Sequence, residues 1–154
     1  MRKPVTFYSE GVKLAGDVYL PDDLARGDER AGIVLCHGYT GVRNIYLPDN
    51  ARVLNEAGYV VLNFDYKGWG ESEGPKTRLA PYGRVADVQA ALTFLAAQPE
   101  VEASRLGIYG TSYGGATVVW GRGDRSSGQM YGLSGRYRQR RALDAQRAPT
   151  GRVL

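Results

Sequence analysis

The sequence predicts an α/β fold, a three-layer α/β sandwich in which helices cover both faces of a mostly parallel sheet. Short apolar runs with little alternation recur within residues 1–120, and such runs are typical of strands buried on both faces. Segments whose apolar residues are spaced by three and four separate these runs and indicate amphipathic helices. Strands that alternate with helices pair in parallel through right-handed crossovers, which predicts the layered arrangement.

The chain opens with a predicted antiparallel hairpin. Apolar residues alternate with polar ones in residues 5–7 and again in residues 12–20. The Ser9–Gly11 segment lies between these two stretches and supplies the turn. A polar loop over residues 21–30 then leads to the parallel part of the sheet.

Two apolar runs, Ile33–Cys36 and Val60–Phe64, predict parallel strands. The segment between them is predicted to be a helix, because apolar residues recur there at helical spacing, namely Leu47, Ala51 and Leu54. Gly58 follows them and is predicted to end that helix.

A second helix and a third strand extend the pattern. The helix is predicted over residues 85–95, where one face carries Val85, Val88, Ala91, Leu92 and Leu95, and Pro99 stops it. Leu106–Tyr109 is the next apolar strand. Residues 114–120 are predicted to begin a further helix.

The charge balance and the apolar content of the sequence change at Gly121. Residues 1–120 contain 12 lysines and arginines against 14 acidic residues, whereas residues 121–154 contain eight arginines against two aspartates. The last stretch has no isoleucine or phenylalanine and no hydrophobic period, so it is too poor in apolar residues to support a core. We therefore divide the chain into the N-terminal portion of one domain, residues 1–120, and a basic tail, residues 121–154, that is predicted to be disordered.

The cysteine content and the N-terminal sequence indicate the cellular compartment of the protein. The single cysteine, Cys36, has no intrachain partner, and its place at the end of an apolar run predicts a buried, unreactive thiol. The N-terminus has no apolar core of signal-peptide length, and no segment approaches the roughly 18 apolar residues of a spanning helix. These features predict a soluble, cytoplasmic protein with no membrane partner.

The chemistry is concentrated around Ser112. The run Gly110–Gly115 has the sequence GTSYGG and stands between a predicted strand and a predicted helix. Gly110 and Gly114 allow the backbone to turn sharply, so that the Ser112 hydroxyl projects from the end of the strand and the next amide meets the start of the helix. This setting is typical of a nucleophilic serine.

Together with two earlier loops, this motif resembles the N-terminal half of the α/β-hydrolase superfamily, in its serine aminopeptidase, dipeptidyl-peptidase-like or esterase branches. The segment His37–Gly41 directly follows a strand, as the family's His-Gly oxyanion loop does. The segment Asp65–Ser72 is similar to the family's Asp-x-x-Gly-x-Gly-x-Ser loop after the next strand. Several linked motifs in the family's order are far more specific than a lone Gly-x-Ser-x-Gly.

The resemblance implies acyl transfer, in which Ser112 attacks the carbonyl of a small-molecule ester or a peptide. It implies the Tyr113 amide as one oxyanion donor and Tyr39 as the second, through its amide or its hydroxyl. Supporting roles are implied for His37, Gly38, Gly110, Gly114 and Asp65. Asp65 precedes the nucleophile, whereas the triad acid of the family follows it, so Asp65 is expected to brace a loop. His37 is likewise expected to be structural.

Other chemistries fit the sequence less well. Gly68–Gly70 follows a strand, but the spacing to Gly74 and the presence of Pro75 disagree with a dinucleotide-binding loop. One histidine beside one cysteine forms no recognisable metal site. The arginine-rich tail lacks the fold signature of a nucleic-acid-binding module. The sequence therefore predicts no cofactor, no metal and no nucleic-acid partner.

The triad acid and histidine of the family have no matching residues here. Asp144 follows Ser112 but lies in the unpatterned tail, and His37 is the only histidine. The change at Gly121 favours a frameshifted or truncated C-terminus, and we expect impaired hydrolytic activity. Two alternatives stay open, a non-catalytic ligand-binding or interaction protein on a hydrolase scaffold and an assembly in which a separate chain supplies the acid and histidine. The sequence leaves the oligomeric state open.

Overall fold

The computed structural model describes residues 1–76 and 80–120, together with the two-residue strand at 132–133. Its strands are β1 (Arg2–Ser9), β2 (Val12–Tyr19), β3 (Arg30–Cys36), β4 (Val60–Phe64), β5 (Val101–Gly110) and β6 (Gly132–Leu133). Its helices are α1 (Leu47–Glu56), α2 (Pro81–Ala96) and α3 (Tyr113–Trp120). The predicted tail otherwise lies outside the described residues, and its division from the rest at residue 120 stays a prediction.

The strands form one mixed sheet in the order β1-β2-β4-β3-β5-β6. The predicted hairpin β1–β2 is antiparallel, and β2 also pairs antiparallel with β4. From β4 onward the sheet is parallel, and β6 pairs with β5 at Ile108 and Tyr109. The mostly parallel α/β sheet that the sequence predicts is therefore confirmed.

Helices cover both faces of the sheet and complete the three layers. On one face, α2 and α3 enclose the larger core, which includes Leu14, Phe64, Val88, Leu92, Ile108 and Val118. On the other face, α1 packs Leu47 and Ala51 against Leu35 and Val61. Burial on both faces explains why β3 and β4 are apolar runs without alternation.

The helix boundaries follow from local chemistry. Gly58 has a φ of 87°, a left-handed conformation that glycine adopts without strain, and its N–H donates to the carbonyl of Asn55 to end α1. Helix α2 begins at Pro81, four residues before the predicted start, because a proline in the first turn has no N–H that needs an acceptor. It ends at Ala96, before Pro99.

The parallel arrangement brings three loops to one edge of the sheet. The carboxyl ends of β3, β4 and β5 all point to the same edge, so the loops that follow them lie next to one another. These loops, together with the last residue of β5 and the first turn of α3, contain every candidate residue named from the sequence. The fold therefore places the predicted site at a single edge.

Candidate active site

Ser112 occupies a sharp, strained turn between β5 and α3. Its φ is 53°, in the left-handed region that a residue with a side chain seldom adopts, and Ser112 is exposed. The carbonyl of Ser112 accepts from the N–H groups of Gly115 and Ala116, so the helix hydrogen bonds start at the serine itself. The turn therefore holds an exposed Ser112 between the end of β5 and the N-terminus of α3.

Two glycines make this turn possible. A Cβ atom at Gly110 would lie 2.4 Å from the carbonyl oxygen of Gly114, and a Cβ atom at Gly114 would lie 2.2 Å from the carbonyl oxygen of Cys36. Both distances are far below a van der Waals contact, so a side chain at either position would push the turn apart. The glycines thus allow α3 to begin directly against the end of β3.

The loop after β3 lies beside the serine. A Cβ atom at Gly38 would approach the Cβ of Ser112 to 3.4 Å, so the backbone there is in close contact with the turn. Tyr39 follows, with 55% of its surface exposed, and its ring lies 6.5 Å from the ring of Tyr113. Tyr113 is the first residue of α3, where backbone N–H groups have no acceptor within the helix. The structure therefore brings Gly38, Tyr39, Ser112 and Tyr113 together.

Tyr46 ties this loop to the turn. Its hydroxyl accepts a hydrogen bond from the Gly38 N–H at 3.1 Å and lies 2.9 Å from the Thr111 hydroxyl oxygen. Sequence reasoning missed this residue, because Tyr46 lies 65 positions from Thr111 and belongs to no motif. Tyr46 has a φ of 47°, and that left-handed backbone at a non-glycine residue is the kind of local strain that accompanies functional loops.

His37 is buried below the loop rather than beside the serine hydroxyl. Its Nδ1 donates to the carbonyl oxygen of Gly38 at 2.9 Å, since a carbonyl can only accept. Its Nε2 is buried without a hydrogen-bond partner among the described residues, so it makes no hydrogen bond to Ser112. Burial lowers the pKa of His37 to about 4, which keeps the ring neutral at pH 7. These contacts support the structural role expected for His37.

Asp65 is held by three donors in the loops after β3 and β4. Its carboxylate accepts from the backbone N–H groups of Arg43 and Glu71, at 2.7 Å and 3.1 Å, and from the Arg43 guanidinium. A Cβ atom at Gly70 would lie 2.2 Å from this carboxylate, so the second loop wraps closely around it. The contacts favour the loop-bracing role for Asp65.

Arg43 is the centre of this network, and sequence reasoning missed it. The side chain is buried, and besides Asp65 it donates to Asp17 at 3.0 Å and to Glu71 at 2.7 Å. Burial alone lowers the pKa of Arg43, but the hydrogen bonds to Glu71, Asp65 and Asp17 outweigh it and raise the pKa above its ordinary value. No sequence motif contains all four residues, because they come from three separate segments, β2 and the loops after β3 and β4.

The described residues form neither a metal site nor a membrane-spanning helix. Within 1–76 and 80–120, no three His, Cys, Asp or Glu side chains stand close enough to hold a metal ion. Over the same part of the chain, no helix has the length and apolar character needed to cross a membrane. Cys36 is buried, and that burial raises the pKa of its thiol to about 12.

The turn at Ser112 and its two neighbouring loops lie within a region that this chain shares with a known family. A family model for serine aminopeptidase, S33, matches residues 27–129, which is more than half of the chain. The chain belongs to the serine aminopeptidase S33 family. The superfamily resemblance found in the motifs is thereby confirmed, and the match covers the loops after β3, β4 and β5.

Relatives of this S33 chain include proteins from bacteria, archaea and fungi. The thiohydrolase aneE of Aspergillus aculeatus is 37% identical over 111 residues, which are 71% of this chain and 33% of that protein. A protein described as "Uncharacterized 31.7 kDa protein in traX-finO intergenic region", from Escherichia coli, is 40% identical over 90 residues, 58% of this chain and 32% of that protein. The structure of the Pyrococcus furiosus esterase Pf2001 matches with a TM-score of 0.69 and 26% identity, over 83% of this chain and 46% of that one. The S33 chain spans about a third of the length of the curated relatives it matches.

Proposed function

We propose that this S33 chain is built for hydrolysis of an ester or amide bond by acyl transfer to Ser112. The observation that carries the proposal is the left-handed φ of 53° at Ser112, held by two glycines that cannot accept a Cβ atom. A strained turn of this kind presents a serine hydroxyl to a substrate carbonyl. In the reaction, the Ser112 oxygen bonds to the carbonyl carbon, the leaving group departs with a proton, and water later releases the acyl group.

The oxyanion that forms during this attack needs donors in place. The Tyr113 amide opens α3, where the helix dipole also favours negative charge. Tyr39 supplies the second donor, through its amide or its hydroxyl. The Gly38 N–H already donates to the Tyr46 hydroxyl, so the next N–H group along the loop is that of Tyr39. This favours Tyr39 over Gly38 in that role.

We further infer that this chain reacts slowly by itself. Ser112 needs a base to accept its proton, and the single histidine has one nitrogen bonded to Gly38 and the other buried without a partner among the described residues. In a comparable serine hydrolase, loss of the triad histidine lowers kcat by about 10⁶. The named relatives, a thiohydrolase and an esterase, favour an ester-type small-molecule substrate over a peptide.

The test is covalent labelling of the purified full chain with a fluorophosphonate probe. We expect slow labelling of the wild type and none of Ser112→Ala, while Ser104→Ala, a change at an exposed serine elsewhere, leaves labelling as in the wild type. Equal labelling of Ser112→Ala would show that another residue is the nucleophile. Rapid labelling of the wild type would show that a base is present and that the chain is not impaired.

A non-catalytic binding protein on the same scaffold is the second candidate. It is favoured by the unpartnered Nε2 of His37 and by the aromatic rings of Tyr39, Trp69 and Tyr113, which lie within 6.5 Å of one another in successive pairs. Such rings form a surface for a ligand even where no base is available. Reversible binding of a substrate analogue to Ser112→Ala, with no turnover by the wild type, would favour this candidate.

A further inference from the structure

Arg84 is a buried cation for which the described residues provide no acceptor. It lies on α2 with 3% of its surface exposed, and all three guanidinium nitrogens lack a hydrogen-bond partner in the described part of the chain. A guanidinium has five N–H donors, and leaving them unpaired away from water carries a large free-energy cost. An acceptor that is not among the described groups would remove much of this cost.

The surroundings of Arg84 compensate the charge only in part. The guanidinium carbon lies 4.4 Å, 5.4 Å and 5.1 Å from the ring centroids of Tyr66, Trp69 and Tyr113. These cation–π contacts stabilise the charge but satisfy none of the N–H groups along the plane of the guanidinium. Asp87, one turn further along α2, is engaged by Lys67 instead, through the Lys67 N–H and the side-chain ammonium. The N–H groups at the edge of the guanidinium therefore have no acceptor among the described residues, and a planar anion could supply one.

The position of Arg84 relates it to the candidate active site. Tyr113, one of its three ring neighbours, directly follows Ser112, and Tyr39 packs its ring against both Trp69 and Tyr113, at 6.0 Å and 6.5 Å. Tyr39, Trp69 and Tyr113 thus form an aromatic cluster that contacts the buried guanidinium through Trp69 and Tyr113 and adjoins Ser112 through Tyr113. A substrate bound beside Ser112 would therefore lie close to this cluster, on which Arg84 packs.

We propose that Arg84 binds a carboxylate of the substrate, so that the substrate class is an ester or amide that also carries a free carboxylate group. The planar fork of an arginine matches a carboxylate with two parallel hydrogen bonds, which a lysine cannot reproduce. This inference deepens the proposed function and rests on it for the identity of the reacting bond. Burial lowers the pKa of Arg84, and bonding to an anion would reverse that effect.

Binding should move an aromatic ring, which provides the readout. Arg84 is buried, and the rings of Trp69, itself only 9% exposed, and Tyr113 pack on its guanidinium, so a carboxylate that binds there must displace a neighbouring ring. The chain contains two tryptophans, Trp69 and Trp120. In a Trp120→Phe background, the fluorescence of Trp69 therefore reports on the site alone.

The experiment titrates the full chain with succinate at constant ionic strength, with neutral succinamide as the matched ligand. We expect succinate, and not succinamide, to change Trp69 fluorescence in a saturable manner. Arg84→Met should raise the dissociation constant by roughly tenfold or more, and Arg84→Lys should give an intermediate value. Arg52→Met, a change at an exposed arginine of α1 paired with Glu56, should leave the dissociation constant unchanged.

Several results would overturn the proposal. The proposal is wrong if the wild type does not respond to succinate, if it responds equally to succinamide, or if the response persists in Arg84→Met. If Arg84→Met fails to fold, an unchanged dissociation constant in Arg84→Lys overturns it equally. The titration repeated in Ser112→Ala separates the two proposals, because carboxylate binding there does not depend on whether the serine is a nucleophile. Conversely, probe labelling of Ser112 without any succinate response would leave the proposed function standing and remove only the role of Arg84.

Discussion

Arg43 and Arg84 are both buried arginines, at 5% and 3% exposure, yet their surroundings are opposite. Arg43 donates to three carboxylates, one in β2 and two in the loop after β4, and it thereby fastens the loop after β3 to both. Arg84 faces three aromatic rings and finds no hydrogen-bond acceptor among the described residues. A paired buried charge holds a structure together, whereas an unpaired one costs stability and needs a different explanation. The contrast distinguishes Arg43, which holds the loops of the site in place, from Arg84, which we propose binds a ligand.

The largest effect expected from this contrast is that of Arg43→Met. It would leave the buried carboxylate of Asp65 without its cation and Asp17 paired only with the more exposed Arg2, and breaking a buried ion pair typically costs about 3–5 kcal/mol. Urea unfolding of the full chain should show this loss in the free energy of unfolding. Arg52→Met is the control, because its partner Glu56 is exposed and such a surface change is usually within about 0.5 kcal/mol. Equal stability of the Arg43 and Arg52 variants would show that the network does not hold the loops.

A second prediction concerns His37, a buried ring whose pKa responds to the charge of Arg84. Its folded pKa is lowered to about 4 from the ordinary 6.5, first by burial and also by the charge of Arg84. The unfolded chain therefore binds a proton at a higher pH than the folded chain, so stability is complete above pH 6.5 and falls as the pH drops toward 4. The expected loss from this group is at most about 3 kcal/mol.

The measurement is the free energy of unfolding at a series of pH values between 7 and 4. His37→Gln removes the titrating ring and should have a shallower dependence in this window, which isolates His37 from the carboxylates. Parallel curves for the wild type and His37→Gln would contradict the assignment. In Arg84→Met, the pKa of His37 should rise toward its ordinary value. The free energy of unfolding should therefore depend less on pH between 7 and 4 than it does in the wild type.

The smallest effect is expected from Arg84→Met on stability. Because the guanidinium has no hydrogen bonds to lose among the described residues, we expect the free energy of unfolding to stay constant or to rise by about 1 kcal/mol. Urea unfolding under the same conditions as for Arg43→Met measures it. A loss as large as that of Arg43→Met would remove the contrast between the two arginines and show that Arg84 is a structural residue.

The regular elements were largely predictable from the sequence. The apolar periods of α1 and α2 and the unalternating runs of β3 and β4 reflect burial on one helix face or on both sheet faces, which is a local property of the chain. Boundaries were less accurate, since β5 extends from Val101 to Gly110 and includes polar residues that no apolar run reveals. Strand pairing supplies their hydrogen bonds, and pairing depends on the neighbouring strands.

The candidate site was predictable to the extent that it consists of contiguous motifs. Ser112 with its glycines, and the loops that begin at His37 and Asp65, occupy short stretches whose spacing carries the information. Tyr46 and Arg43 were not predictable, because each acts through atoms that lie 20 or more residues away, such as Thr111 for Tyr46 and Asp65 for Arg43. Neither belongs to a motif that is recognisable in the sequence.

The sequence by itself determined the order of the elements, the turn at Ser112 and the family to which the chain belongs. Those features depend on periodicity, on glycines and on short motifs, all of which are local. Only the tertiary structure decided that His37 is bonded to Gly38, that Arg43 is paired and that Arg84 has no hydrogen-bond acceptor among the described residues. The reason is physical, because pairing and burial depend on which residues the fold brings together. The identity of a charged residue does not show whether a partner lies within hydrogen-bond distance.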